Sequence, residues 1–419
     1  NTGAIIFTAT PAPRTLYWVG GTGNWSSTTK WATSSGGASG AAIPTSLDSV
    51  TFDSASNATA YTATIDAGVT IARCASFTMA GPASGNVTFA GTVGIAFHGN
   101  VSFAATGITR TYTGAMSWAG NSSYTFTTNG LTLGSACTVI GTGSTWTLGS
   151  ALNIGTSNLT VTYGTFSTSG SNYAVTAGTL ASNNSNVRSI SLNGSTIALS
   201  QITATVSFAT STNFTFFAGT STLTAASSPV FNGGGQTFYN VSFTSTAAAT
   251  ITITGANTFT NLTFTGRTTA GIAAVTFGAN QTISGTLTVP AGTASAFRTF
   301  LASDTIGTQR TLTVNALAAG ATDVDFRDIA IAGAAAPISG TRFGDAKGNS
   351  GITFPGAKTV YYGQTGSANW GAASSGSWSA TSGGALDATQ FPLAQDTAVF
   401  PAATYPASGS TTTINASFN

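Results

Sequence analysis

The sequence predicts an all-β fold: an elongated β-solenoid, parallel β-helix-like, with Trp-rich junctions. Tandem β-sandwich modules are the alternative. Three observations predict it. First, Thr, Val, Ile and Phe alternate with Ser, Gly and Asn, as in Val87-Thr88-Phe89, Val101-Ser102-Phe103 and Ile251-Thr252-Ile253-Thr254. Period-two patterning with β-branched enrichment is the mark of short strands. Second, Gly, Asn and Ser punctuate these runs, as tight turns require. Third, the runs repeat at the spacing of one solenoid coil.

The clearest repeat is Thr237-Phe238-Tyr239-Asn240-Val241-Ser242-Phe243-Thr244, which returns as Thr258-Phe259-Thr260-Asn261-Leu262-Thr263-Phe264-Thr265. A decayed copy is Thr282-Ile283-Ser284-Gly285-Thr286-Leu287-Thr288-Val289. Phe97-His98-Gly99-Asn100-Val101-Ser102-Phe103 reads as another copy, which puts His98 at a variable rung position. A shorter echo relates Leu131–Ala136 to Trp146–Ala151. In such coils Phe and Leu form the inner stack, Asn at a fixed turn forms a ladder, and Ser and Thr cover the outside.

A longer repeat frames the chain. Leu16-Tyr17-Trp18, Trp25, Trp31, Pro44, Asp48 and Phe52 near the start correspond to Val360-Tyr361-Tyr362, Trp370, Trp378, Pro392, Asp396 and Phe400 near the end. Pro to Asp is the same step in both, and so is Asp to Phe. The expected organisation is therefore the end of a preceding unit over 1–15 and a Trp-rich junction or cap over 16–66. A solenoid body follows over 67–320, then an acidic unit end over 321–358 and the start of the next unit over 359–419. The chain opens on Asn1 and reads as one period of a longer array. The aromatic rings of each junction would cover an open strand edge that otherwise invites aggregation.

Composition narrows the function classes. Charged residues are 5% of the chain, against about 25% in an ordinary soluble domain. Twelve Lys and Arg in 419 residues make no large basic patch, so no nucleic-acid partner is expected. No apolar run is long enough for a transmembrane helix, so no membrane insertion is expected. All ten acids are Asp, and none lies between Asp66 and Asp304. Carbohydrate-cleaving solenoid enzymes need paired carboxylates or carboxylate-held calcium, so the body reads as non-enzymatic, with no cofactor.

The acidic cluster is Asp323, Asp325 and Asp328, with Arg327 among them. It is the metal candidate; the competing reading is a solvated unit end in which Arg327 pairs a neighbouring Asp. Asp48, Asp53 and Asp396 read as turn caps. Cys74 and Cys137 read as isolated buried thiols. Trp118, Trp146, Tyr163, Tyr173, Phe214, Phe216 and Phe217 are either inward-stacked rings or platforms for sugars, with one of Phe216 and Phe217 facing out.

The run Tyr17-Trp18-Val19-Gly20-Gly21-Thr22-Gly23-Asn24-Trp25, with Trp31, Ser34-Ser35-Gly36-Gly37, Pro44 and Asp48 to Asp53, resembles Trp/Gly-rich β-repeat modules of large bacteriophage fibre and tail-associated virion proteins. Similar modules occur in bacterial adhesins and autotransporter passengers. The resemblance covers the two junctions and scattered rungs such as Asn257–Leu262, and it carries no catalytic residues. It implies a non-enzymatic structural protein of a phage virion surface, a fibre or appendage presenting a host-binding or particle-decorating surface. Its partners would be other virion proteins and further copies of itself, with the homotrimer a common arrangement, and a host surface glycan or protein. The alternative is a bacterial cell-surface adhesin or secreted passenger.

Overall fold

A computed structural model describes residues 12–201, 203–226, 229–247, 250–364, 367–371, 376–402 and 411–414. It is all-β, with parallel coils stacked as a β-solenoid of about 11 turns. The sandwich alternative would need antiparallel sheets. Here the described strand pairs are parallel except for one antiparallel strand in each junction. Contacts divide the chain into one unit of residues 1–197 with 212–217 and a second of residues 198–211 with 218–419.

In the first unit, one face is a ten-stranded sheet running from Trp31–Ala32 and Thr15–Trp18 through Ser49–Phe52, Phe77–Met79 and Val101–Phe103 to Phe214–Phe217. Another carries Ala72–Cys74, Ile95–Phe97, Met116–Trp118 and Cys137–Val139 in successive coils. Strand burial follows the alternation: Tyr61–Ile65 reads buried, half-buried, buried, half-buried, buried. The inward positions stack ring on ring. Phe77 lies 5.7 Å from Phe52, 5.9 Å from Phe89, and 5.4 Å from both Phe97 and Phe103. Trp118 and Trp146 are fully buried, so both belong to the inner stack. Phe217 faces out at 59% exposure, while Tyr163, Tyr173, Phe214 and Phe216 are half-buried.

In the second unit, Thr237–Phe243 and Thr258–Phe264 stack in register, Phe238 on Phe259, Asn240 on Asn261 and Phe243 on Phe264. The decayed copy Gln281–Thr288 follows, with a bulge that moves Leu262 opposite Leu287. The ladder exists at this step: Asn261 Nδ2 donates to Asn240 Oδ1 at 2.8 Å. The coils run on through Val324–Arg327, Ile329–Ala332 and Ile352–Thr353.

Two readings of the repeats need correction. Leu131–Ala136 does not stack on Trp146–Ala151; Leu133 donates to Asn153 O instead, because the coil is longer than the echo. And Phe97 to Phe103 is not a straight rung. Ile95–Phe97 and Val101–Phe103 are strands of two different sheets, so His98 sits at a corner. Gly99 permits the bend, since a Cβ there would come within 2.8 Å of Ser76 N.

Cys74 and Cys137 are buried free thiols, and burial pushes Cys137 up to about 12. Replacement of Phe77 by Ala removes the ring shared by four others. It is expected to cost about 3–5 kcal/mol, read as an earlier guanidinium midpoint; an unchanged midpoint would refute the continuous inner stack.

Candidate functional site

Two constellations draw on the residues singled out in the sequence. The first is the aromatic junction. The turn at Gly20 and Gly21, both at positive φ, lets Trp18 Nε1 donate to Gly21 O at 2.8 Å, and Trp31 Nε1 donates to Trp25 O at 2.8 Å. Trp18, Trp25, Trp31 and Phe52 are all buried. Trp18 meets Trp31 edge-on at 5.2 Å and stacks on Phe52 at 5.3 Å; Trp25 meets Trp31 at 4.8 Å. Strand Trp31–Ala32 lies antiparallel to Thr15–Trp18, opposite the parallel strand Ser49–Phe52. It is the terminal strand of the ten-stranded sheet, and an edge strand only two residues long blunts the template for further pairing.

The same arrangement recurs near the end of the chain. Thr359–Tyr362 pairs antiparallel with Trp378–Ser379 and parallel with Thr397–Val399. Tyr362 meets Trp378 at 5.4 Å and Phe400 at 4.9 Å, and Trp370 meets Trp378 at 4.7 Å. Trp378 Nε1 donates to Trp370 O. The likeness thus extends from residues to strand pairing, ring geometry and hydrogen bonds. One difference is that Phe52 packs on Phe77, whereas Phe400 is 41% exposed.

The junction carboxylates do cap turns. Asp48, beside buried Pro44, accepts from Thr45 N at 2.9 Å and Thr45 Oγ1 at 2.8 Å. It also takes a two-pronged ion pair from Arg14, with Nε at 2.8 Å and Nη2 at 2.7 Å, the geometry that guanidinium favours. Asp396, beside half-buried Pro392, accepts from Leu393 N and from Lys358 N. The Lys358 ammonium turns instead to Gln390 Oε1. Asp53 accepts from Ala55 N and Ser35 Oγ.

The second constellation is the acidic cluster, and it is neither solvated nor built on Arg327. Asp323, Asp325 and Asp328 are 2%, 3% and 7% exposed. The organising residue is Arg298, one coil earlier and 1% exposed. Its Nε and Nη2 grip Asp325 at 2.7 Å each, and Nη1 reaches Asp323 at 3.1 Å. Arg342 closes on Asp323 from the other side at 2.7 and 2.6 Å. Two guanidinium groups therefore face two carboxylates, and neither carboxylate is left for a cation. Asp328 accepts from Gly307 N at 2.9 Å, with Arg327 Nε only at 3.8 Å. No group of three metal-ligating side chains occurs among the described residues. Burial alone would lower the Arg298 pKa, but Asp325 and Asp323 outweigh it and raise it.

Sequence reasoning missed Arg298. The signal was available: Arg298 and Asp323 are 25 residues apart, one coil, as a search at the coil period would have shown. It also missed Arg267, fully buried, whose Nε and Nη1 have no hydrogen-bond partner.

Comparison with protein-family models, curated proteins and solved structures finds no match for this chain.

Burial opposes ionisation of Asp48, but the bonds from Arg14 and Thr45 prevail and hold its carboxyl at about 2, below its ordinary 3.8. This stabilisation is present above about pH 4 and is lost as pH falls through about 2. Asp48→Asn is expected to cost about 2 kcal/mol at pH 7 and little at pH 2. Guanidinium midpoints at the two pH values check this; equal losses would show that charge plays no part. Arg298→Met strands buried Asp325 and leaves Asp323 with Arg342 alone, and is expected to cost about 3–5 kcal/mol. Calcium is expected to leave the melting temperature of the intact chain unchanged; a rise would revive the metal reading.

Proposed function

We propose that the chain is a non-enzymatic structural component of a bacteriophage virion surface, a fibre or appendage that presents a host-binding or particle-decorating surface. The observation that carries this reading is the duplicated aromatic junction. A solenoid whose ring cluster, strand pairing and turn cap recur near both ends is built to be used in tandem.

The body supports the same reading. No carboxylate occurs between Asp66 and Asp304, so the acid pair of a glycosidase has no place on those coils. The paired Asp323 and Asp325 are neutralised in the interior. What the surface offers is hydroxyls and amides repeated coil after coil. Such a surface acts through many weak contacts, in which linkage raises avidity without a strong single site. Its partners would be further copies of the chain, other virion proteins and a host surface glycan or protein.

The test is immunogold electron microscopy with an antibody to this chain, on purified phage particles and on the cells of the culture. Gold on tails, fibres or capsids is expected. Gold confined to the cell envelope, with clean particles, would overturn the phage assignment and leave the bacterial adhesin.

A further inference from the structure

Successive coils of the first unit turn the same corner. Ala75 N donates to Asp48 O, His98 N to Cys74 O and Ala119 N to Phe97 O, at 2.8, 2.9 and 2.7 Å. These bonds stack the corners of neighbouring coils in a column. Along it runs a groove of about 420 Å³ that reaches from the loop before Ser49–Phe52 to the start of Ser123–Thr127. Four coils contribute, at a spacing of about 4.8 Å each, so the groove follows the stacking direction for roughly 14 Å.

Its walls combine two kinds of surface. Leu47, Ala75 and Ala119 are apolar, and Leu47 is 43% exposed. The Tyr124 ring stands beside them, backed by the Trp146 ring at 5.0 Å. Gly120 is required there, because a Cβ would come within 2.1 Å of that tyrosine ring. Between the apolar residues stand Ser46, His98 and Asn121. His98 Nε2 is a buried atom with no hydrogen-bond partner. No charged residue lines the groove. The imidazole favours its neutral form, since burial first and Arg73 second lower its pKa.

We propose that this corner groove binds a neutral saccharide chain. Serine, tyrosine and the carboxamide each donate and accept. That mixture pairs with hydroxyl groups, which also do both. The aromatic ring and the small apolar residues suit the C–H face of a pyranose. With no charged residue in its lining, the groove offers phosphate, carboxylate and ammonium ligands no direct ion-pair partner. Its extent across four coils suits several linked sugars rather than one. The inference rests on the surface-appendage reading for its biological meaning and deepens it by naming a ligand class. The two fail separately: gold labelling locates the chain, whereas the experiment below asks only what the groove binds.

His98 is the only histidine in the chain, so its imidazole is a single reporter. The intact chain, labelled at histidine, is titrated with tetrasaccharides derived from dextran, chitin and mannan, and the imidazole resonances are followed by NMR. A saturable shift with at least one of them is expected, with a dissociation constant on the order of millimolar or tighter and no sensitivity to added salt. Asn121→Ala and Tyr124→Phe alter an exposed and a half-buried side chain, so the fold is kept, which the unchanged remainder of the spectrum would verify. Each is expected to weaken binding by about tenfold. No shift with any of the three probes would overturn the proposal, and so would a shift that both variants retain at full affinity.

Discussion

Everything in this structure depends on parallel, in-register stacking of one coil on the next. Once the backbone of a coil is bonded to the coil before it, each inward side chain must sit on its predecessor. Phe238 on Phe259 and Phe243 on Phe264 are the plainest cases. The hydrogen bonds lie between coils, so outward positions are free of any duty to the fold except β propensity and solubility. Thr and Ser serve both, which explains a chain with so few charges. Changes of coil length are absorbed where stacking is least demanding, at corners and at the bulge between Phe259 and Leu262.

The same constraint decides how charges are buried. With no carboxylate at hand, buried Arg188 is met by carbonyls and a hydroxyl: it donates to Ser182 O and Oγ, Asn186 O and Thr212 O, and its guanidinium lies over Phe214. In the second unit, Arg298 is instead neutralised by Asp323 and Asp325. A buried pair of this kind is weak evidence of added stability, but removing one partner is costly. The bonds of this cluster run between neighbouring coils, from Arg298 to Asp323 and Asp325 and from Arg342 to Asp323.

The period-two strands, the inner aromatic stack and the related junctions were legible in the sequence, because each is a local pattern or a direct repeat of residue types. The step from Asn240 to Asn261 could be read as one coil. The corner at His98 could not, because Phe97 to Phe103 has the residues of a straight rung and only the glycine marks the bend. The Asp323 and Asp325 cluster was found but misplaced in solvent. Its partner is near only after a full turn of the solenoid, and charge spacing along a chain says nothing of that until the turn length is known. The groove was hidden for the same reason, as its walls come from four separate coils.

The stretch without carboxylates has a further consequence. Strictly between Asp66 and Asp304 the ionisable side chains are arginines, tyrosines, two buried thiols and one histidine. Between about pH 4 and pH 8 only the histidine can change its charge. Those coils therefore present nearly the same electrostatic face in an acidic medium as in a neutral one, and any lateral association made through them would be indifferent to acidity over that range.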